Sequence, residues 1–316
     1  MTRDQPAAIL AVPTGLTRPR WSVMIPTYRC AQYLSATLSG VLAQDPGPRA
    51  MQIEVVDDGS DDRPEAVVEE IGRGRVTFWR QPRNVGISAN LTSCIARSTG
   101  DYVHILHGDD LAYPGLYERA GAAFDADPLL DALFVGAEDV DSEGRVCDPH
   151  RPLRPGPQLL DDFEPEMFAW NPVRAPAVVA RRSFYERYGG FHPDLRYCAD
   201  WDMWKRMITC GRVAYLPDVL VGYRVHAGSD TARLGRSPAQ LREMMRSVRI
   251  SYRYPSRTPT RRWTPNVYWT VGRWAAEAMR QPGRPRRRQA LGYLPILLEA
   301  GARRRVDRAL GALGRP

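Results

Sequence analysis

The chain has 316 residues, 43% of them hydrophobic and 25% charged, which suits a folded protein of one large domain with an extension, or of two domains. Its five cysteines are scattered and include no CxxC pair, so neither a disulfide framework nor a thiolate zinc site is indicated, and a reducing cytoplasm fits best. No run of about 18 apolar residues predicts a membrane-spanning helix, and the short apolar run broken by Pro13 is not expected to be a signal peptide.

The net charge of +8 is distributed unevenly along the chain. Residues 1–232 contain 24 basic and 32 acidic residues, whereas residues 233–316 contain 20 basic and 4 acidic ones. The sequence therefore predicts an N-terminal extension over 1–20, a main domain over 21–232 and a basic helical C-terminal region over 233–316.

Short apolar segments alternate with helix-length segments through the first half of the chain. Trp21–Ile25 predicts a strand that ends at Pro26, because proline cannot donate to a sheet ladder. The elements predicted next are a helix over 31–44, a strand ending at Asp57 and Asp58, a helix over 64–71, a strand over 75–80, a loop and helix over 83–100 closed by Gly100, a strand leading into "HGDD" at 107–110, and a helix over 114–128. This alternation predicts an α/β fold with a parallel sheet covered on both faces.

Polar groups follow three of the predicted strands: "PTY" at 26–28, Asp57–Asp58, and "HGDD" at 107–110. In open α/β sheets ligands bind outside the carboxyl ends of the strands, so we expect these groups around one crevice. One acidic pair alone is explained by turn formation, but two pairs at separate strand ends repel unless a cation or hydrogen bonds compensate. Magnesium or manganese, with substrate phosphates completing the shell, is the natural compensation.

The common phosphate-binding loops are absent from the sequence. There is no GxxxxGK[ST] and no GxGxxG between a strand and a helix, which argues against a P-loop NTPase and a nicotinamide-dependent enzyme. Nor is "PTYRCAQY" the glycine-rich basic loop of a sugar nucleotidyltransferase. A metal, in place of a glycine-rich loop, is therefore expected to hold a diphosphate.

Five blocks of sequence resemble, in order, the consecutive blocks of family 2 glycosyltransferases with a GT-A fold. They are "VMIPTYRCAQYLSATLSGVLAQ", "EVVDDGSDD", "RNVGISANLTSCIARSTGDYVHILHGDD", "GGFHPDLRYCADWDMWKRM" and "YLPDVLVGYRVHAGSDT". The resemblance covers roughly residues 21–232. It implies a Rossmann-like, mostly parallel sheet flanked by helices, and inverting transfer of a sugar from a nucleoside diphosphate donor, with a UDP-sugar favoured, to an acceptor hydroxyl of a glycan, glycolipid or natural product.

The resemblance also implies a set of residues for the donor and the metal. Pro26, Thr27 and Tyr28 would border the nucleoside, Asp57 and Asp58 would bind the base or ribose, Asn84 and Gly86 would lie along the donor, and Asp109 and Asp110 would hold Mg²⁺ or Mn²⁺, with Asp110 coordinating directly.

Two histidines complete this donor set. Many relatives carry an acid where this chain has His107, which is therefore expected to act as a hydrogen-bonding group or donor contact. His226 would lie near the diphosphate or metal, and Arg224 would support the same anion.

Asp200 is the candidate catalytic base. In "RYCADWDMWKRM" a helix is predicted to begin near Ala199, and taken alone an acid in its first turn is better explained by its interaction with the helix macrodipole. The resemblance implies that this aspartate takes the proton of the acceptor hydroxyl, although relatives usually have "ED" at Ala199–Asp200; Asp202 is the competing assignment. Trp201 and Trp204 are predicted as core residues in preference to a sugar-stacking wall.

The basic C-terminal region contains apolar residues at helical spacing. Such helices suit an anionic membrane surface that presents lipid-linked acceptors, which would place a cytoplasmic protein at the inner face of the membrane. A helical subdomain packed on the catalytic domain and attraction to the acidic main domain are the alternatives. No nucleic-acid recognition motif is present, so nucleic-acid binding is not expected.

Two other functions compete with transfer. One is a non-catalytic nucleotide-sugar-binding partner subunit, because a fold alone does not establish activity. The other is a metal-dependent phosphotransfer or phosphohydrolase domain, which leaves the block around Asp200 unexplained.

Overall fold

The computed structural model describes residues 5–229, 237–255, 263–280, 292–302 and 305. The chain clusters into two units. The first contains the described residues up to Leu160 together with Val173–Asp194 and Gly211–His226; the second contains Asp161–Pro172, Leu195–Cys210 and the described residues from Ala227 onward. Residues 161–172 and 195–210 thus cluster with the C-terminal region, although they lie within the predicted domain 21–232. The predicted boundary after residue 232 lies outside the described residues.

The first unit is built around a ten-stranded mixed sheet. Its strands are β1 Trp21–Thr27, β2 Met51–Asp57, β3 Thr77–Arg80, β4 Tyr102–Ile105, β5 Leu111–Ala112, β6 Ala132–Val140, β7 Val146–Asp148, β8 Gln158–Leu159, β9 Val178–Arg181 and β10 Val213–Arg224. The main path runs β3-β2-β1-β4-β9-β6-β10-β5, with β7 paired to β6 and β8 to β10. The helices of this unit are α1 Ala31–Leu42, α2 Pro64–Gly72, α3 Ile87–Arg97, α4 Leu116–Ala126 and α6 Arg182–Tyr188.

The four strands β3-β2-β1-β4 form a parallel block that carries the predicted strand ends. β1 pairs in parallel with β2 and β4, and β2 pairs in parallel with β3. All seven residues of β1 are buried, as expected for a central strand covered on both faces. The predicted α/β fold is therefore confirmed, while β9 adds antiparallel pairs to both β4 and β6.

Two local predictions were wrong. β1 continues through Pro26 to Thr27, because the carbonyl of Pro26 still accepts a hydrogen bond from the amide of Gly108 (3.0 Å) although proline cannot donate. α3 ends at Arg97, with Ser98 in an extended conformation, so Gly100 does not close it. Gly100 instead lies against β1: a Cβ there would stand 2.6 Å from the carbonyl carbon of Trp21.

The second unit is helical in its described part. Its helices are α5 Glu164–Ala169, α7 Ala199–Cys210, α8 Pro238–Ser251, α9 Thr264–Arg280 and a helix over 292–302. α7 packs against α5 and α8, and Trp201 and Trp204 are 2% and 3% exposed, which confirms them as core residues. Lys205, the one lysine in the chain, is buried there and donates to Ser247 Oγ. No described helix combines the length and the apolar character that crossing a bilayer requires.

His104 on β4 makes folding stability depend on pH. Its ring is fully buried between the Tyr117 hydroxyl (3.1 Å) and the Pro176 carbonyl (2.9 Å), and burial lowers its pKa to about 4. Because an unfolded chain protonates this ring near its ordinary pKa of 6.5, the free energy of unfolding should fall as the pH drops from 6.5 towards 4, by up to about 1.4 kcal/mol per pH unit. The free energy of unfolding, measured with urea at several pH values across this range, should depend less steeply on pH in His104→Gln than in the wild type. An equal dependence on pH in both proteins would contradict the assignment.

Candidate active site

The structure places the three predicted strand ends side by side at the carboxyl edge of the parallel block. Thr27 lies opposite Asp57 in the β1–β2 register, and its carbonyl accepts a hydrogen bond from the Asp58 amide (2.8 Å). Gly108 lies on the other side of β1, where a Cβ would stand only 2.9 Å from Thr27 Oγ1. A larger residue at Gly108 would therefore push the "HGDD" segment away from β1.

Asp110 is held on one side and left open on the other. Its Oδ1 accepts from the Arg224 amide (2.8 Å), and its carbonyl accepts from Thr37 Oγ1 (2.7 Å). The side chain is buried, yet among the described residues Oδ2 has no hydrogen-bond partner. Burial raises the pKa of Asp110 well above its ordinary value, and the negative charge of Asp109 adds to this effect. An unpartnered buried carboxylate oxygen is costly unless a cation or donor meets it.

Asp109 has its own partner in His226. His226 Nε2 lies 3.0 Å from Asp109 Oδ2, and the imidazole lies against Tyr33 in a tilted arrangement, with ring centroids 4.9 Å apart. Burial opposes ionisation of Asp109, but the hydrogen bond from His226 and the nearby histidine charges outweigh it, so the pKa of Asp109 is lowered. Asp109 is thus the carboxylate of the pair that ionises more readily.

His107 belongs to the same cluster. One of its ring nitrogens and one carboxylate oxygen each of Asp109 and Asp110 lie within 4.8 Å of one another, and no other group of three such ligands occurs in the described part of the chain. Two carboxylates, one with an unpartnered buried oxygen, match what a divalent cation requires. The residues present therefore fit the Mg²⁺ or Mn²⁺ that the resemblance implies, with Asp110 and Asp109 as the oxygen ligands.

Arg224 holds this cluster in place. It is 4% exposed; Nε donates to the Asp109 carbonyl (2.7 Å), and Nη1 donates to the carbonyls of Asp141 and Ser142, both at 2.8 Å. The guanidinium also lies over the Tyr33 ring, 4.8 Å from its centroid. Nε and Nη1 thus donate to main-chain carbonyls, which supports a positioning role for Arg224; its predicted support of the diphosphate stays a prediction.

The acidic pair at the end of β2 faces inward. Asp57 is fully buried and accepts from Ser60 and from Arg80 Nε, the latter at 2.6 Å. Asp58 is 3% exposed and accepts from the amides of Val85 (2.7 Å) and Gly86 (2.9 Å) through its two oxygens. The contacts of Asp58 shape the loop before α3, and any contact of either aspartate with a base or ribose would have to use its remaining lone pairs.

The other predicted donor residues differ in their exposure. Pro26 and Thr27 are buried within β1, whereas Tyr28 is 40% exposed. Asn84 is exposed and its Nδ2 donates to the Asp58 carbonyl (3.2 Å). Gly86 has φ +87°, a left-handed conformation that favours glycine, at the N-cap of α3.

Replacing Asp58 by asparagine should loosen the loop before α3. One of its two oxygens becomes an NH₂ group that faces a main-chain N–H, so the free energy of unfolding should fall by about 1–3 kcal/mol. The melting temperature of Asp58→Asn and its affinity for nucleotide should both be lower than those of the wild type. Asp61→Asn, at an exposed ion pair with Arg29, is the matched control and should change neither; wild-type values for both variants would contradict the assignment.

Asp200 lies in the second unit, at the start of α7, whereas the cluster around Asp110 lies in the first. It is half-buried; Oδ2 accepts from Asn171 Nδ2 (3.1 Å) and Oδ1 from the Trp201 amide (2.6 Å). Both bonds favour the ionised carboxylate that a base requires.

Asp202 is fully buried and occupied by other partners. It accepts from the Tyr254 hydroxyl (2.5 Å) and from Arg206 Nη2 (3.2 Å). Because a base must reach a substrate hydroxyl, the half-buried Asp200 fits that role better than Asp202.

Sequence reasoning missed Thr37, Tyr33 and Asn171. Thr37 is a buried polar residue on the apolar face of α1, and its hydroxyl bonds to the carbonyls of Gly108 (3.1 Å) and Asp110. A buried threonine between leucines was a signal that could have been noticed. Nothing in the local sequence pairs Asn171 with Asp200, because 29 positions separate them.

A mixed α/β sheet with a parallel block, and an aspartate cluster at its carboxyl edge, are features of the GT-A fold. Residues 22–172 match the family model described as Glycosyl transferase family 2, so the chain carries a domain of that family and is a transferase enzyme.

A relative by sequence agrees with this family, and two solved structures agree with the fold. A glycosyltransferase of Haemophilus influenzae is 22% identical over 241 residues, covering 74% of each chain. S. aureus TarS 1–349 in complex with UDP-GlcNAc has a TM-score of 0.69 at 17% identity, over 94% of this chain and 92% of that one. The mannosyltransferase PcManGT from Pyrobaculum calidifontis, in complex with GDP-Man and Mn²⁺, has a TM-score of 0.56 at 19% identity, over 95% and 90%. At these identities the two structures establish the fold.

Proposed function

We propose that the protein transfers a sugar, with inversion, from a nucleoside diphosphate sugar to an acceptor hydroxyl of a glycan, glycolipid or natural product. The observation that carries this proposal is the cluster of His107, Asp109 and Asp110 with the unpartnered Asp110 Oδ2 at the carboxyl edge of the sheet. A UDP-sugar is the favoured donor, and the UDP-GlcNAc complex of TarS supports that choice.

The chemistry is a single displacement. The acceptor oxygen attacks the anomeric carbon while Asp200 takes its proton, and the bond from that carbon to the diphosphate oxygen breaks, with its electron pair leaving on the diphosphate. When bound, a divalent cation held by Asp109 and Asp110 supplies charge stabilisation to the diphosphate. His226 keeps Asp109 oriented, and Asn171 does the same for Asp200.

The nucleoside is assigned to the ends of β1 and β2. Tyr28 offers an exposed ring, while Asp58 acts mainly by fixing the loop that holds Asn84 and Gly86, and Asp57 is held by Ser60 and Arg80. The two aspartates are given this structural role because their side chains already accept hydrogen bonds from the protein. Pro26 and Thr27 would contribute through their main chain.

An assay with a panel of UDP-, dTDP- and GDP-sugars, with Mn²⁺ or Mg²⁺ present, tests the activity. Mass spectrometry should detect nucleoside diphosphate release, by transfer or by slow hydrolysis, and NMR of the product should show the inverted anomer. Saturable binding of a donor without any turnover would favour the non-catalytic partner subunit instead.

The basic C-terminal region is assigned to an anionic membrane surface at the cytoplasmic face, where lipid-linked acceptors would be presented. The helix over 292–302 buries Tyr293, Ile296 and Ala300 and yet exposes Leu294 (49%) and Leu298 (65%). A second, exposed apolar stripe in a strongly basic region is typical of helices that lie at a lipid interface.

Replacing Leu294 and Leu298 together by serine should reduce flotation with anionic vesicles severalfold. These side chains are exposed, so folding should be unaffected, unlike deletion of residues 233–316, which would remove α8 from its contact with α7. Leu129→Ser removes another exposed leucine (76%), in the first unit, and should float like the wild type. Undiminished flotation of the double variant would contradict this assignment.

A further inference from the structure

His107 has no protein partner at the point where the cluster needs a ligand. Within the described residues its imidazole makes no hydrogen bond, although it is half-buried next to Asp109 and Asp110. One of its ring nitrogens lies within 4.8 Å of a carboxylate oxygen of each. The unpartnered Asp110 Oδ2 is a second, independent sign that a group is to be bound there.

The surrounding residues hold the carboxylates in the manner of an outer ligand shell. The Arg224 amide fixes Asp110 Oδ1, and His226 Nε2 fixes Asp109 Oδ2. Such outer contacts orient ligating groups and tune their affinity. One oxygen of each carboxylate is thus bound by the protein, and His107 is the member of the cluster that no hydrogen bond holds.

We propose that His107 is a nitrogen ligand of the cation and that this mixed set selects Mn²⁺, or a similar first-row transition ion, over Mg²⁺. Mg²⁺ favours oxygen ligands, whereas imidazole suits transition ions. The inference rests on the proposed function for the site, since the same cation would serve the donor diphosphate. It replaces the expectation that His107 only contacts the donor.

Pulsed electron paramagnetic resonance of the full-length protein tests this without turnover. Metal-free protein is loaded with Mn²⁺ alone and with Mn²⁺ plus UDP, and the spectra are searched for nitrogen coupling to the ion. Coupling is expected at least in the sample with UDP, and it should change in protein labelled with ¹⁵N-histidine. Absence of the coupling from both samples would overturn the proposal.

His107→Asp is the decisive variant because it keeps a ligand but makes the set all-oxygen. The nitrogen coupling should vanish, Mn²⁺ should still bind, and the ratio of Mn²⁺ to Mg²⁺ affinity should fall at least tenfold. His150→Gln is the matched control, since His150 is bonded to the Ala137 carbonyl and the Tyr215 hydroxyl outside the cluster; it should keep the coupling. Coupling that persists in His107→Asp, or an unchanged affinity ratio, would refute the assignment.

The nitrogen-coupling experiment and the transfer assay test different proposals, and either can fail without the other. Nitrogen coupling that depends on His107 supports the ligand assignment even if no donor in the panel is turned over. Transfer in protein that shows no coupling would retain the proposed activity and reject His107 as a ligand.

Discussion

Replacing Asp200 by asparagine is expected to lower kcat for sugar transfer by about 10²- to 10⁴-fold, the usual contribution of a general base. The amide cannot take a proton, but it has nearly the same shape, so the contacts at the start of α7 should survive. Donor affinity, measured by calorimetry with UDP and Mn²⁺, should therefore stay close to that of the wild type. Full activity in this variant would end the assignment of Asp200 as the base.

Asp202→Asn provides the contrast. Asp202 is fully buried and bonded to Arg206 and Tyr254, so this change should remove the buried negative charge that faces Arg206 and destabilise the second unit by about 3–5 kcal/mol. Its melting temperature should fall while folded protein keeps activity at low temperature. The reverse pattern, a stable but inactive Asp202→Asn and an active Asp200→Asn, would exchange the two roles.

Asn171 allows a finer test of the same base. Its amide donates to Asp200 Oδ2, a bond that favours the ionised carboxylate, so Asn171→Ala should move the acidic limb of the kcat/KM profile to higher pH. A general loss of packing would lower activity without moving that limb. Asn171→Ser, which keeps a donor, should recover part of the shift.

The strand ends could be predicted because their signals are local. Apolar runs followed by "DDGS" and "HGDD" mark where β2 and β4 stop, and parallel pairing with β1 then brings the ends together. The limits of β1 could not be predicted as well, because Pro26 remains in the strand through its carbonyl alone. That bond depends on Gly108, which is far from Pro26 in the sequence.

The partners of the site's side chains depend on contacts between residues that are distant in the sequence. Asp58 looks like a ligand-binding group in the sequence, yet its oxygens accept from Val85 and Gly86. Arg224 looks like an anion-binding group, yet its donors meet main-chain carbonyls. The sequence pattern predicts that a polar group lies at the carboxyl edge of the sheet. Only the fold determines whether that group faces a ligand or another part of the protein.

Replacing Asp110 by asparagine should separate the stability of the protein from its metal binding. The amide oxygen of the new side chain can still accept from the Arg224 amide, but the variant buries no charge beside Asp109. The metal-free variant should therefore melt at or above the temperature of the metal-free wild type, because an unpartnered buried carboxylate destabilises a fold.

The same substitution should weaken metal binding, although it does not lower the stability of the metal-free protein. Mn²⁺ stabilises the native state by an amount set by its concentration relative to Kd, so wild-type protein should melt at a higher temperature as Mn²⁺ is added. Asp110→Asn should lose most of that increase and nearly all metal-dependent donor affinity, while Asp101→Asn, at an exposed carboxylate, should retain both. A metal-free Asp110→Asn that is less stable, together with an intact response to Mn²⁺, would mean that Asp110 serves the fold and not the cation. The expected pair of results would show that the carboxylate destabilises the metal-free fold in order to bind the ion.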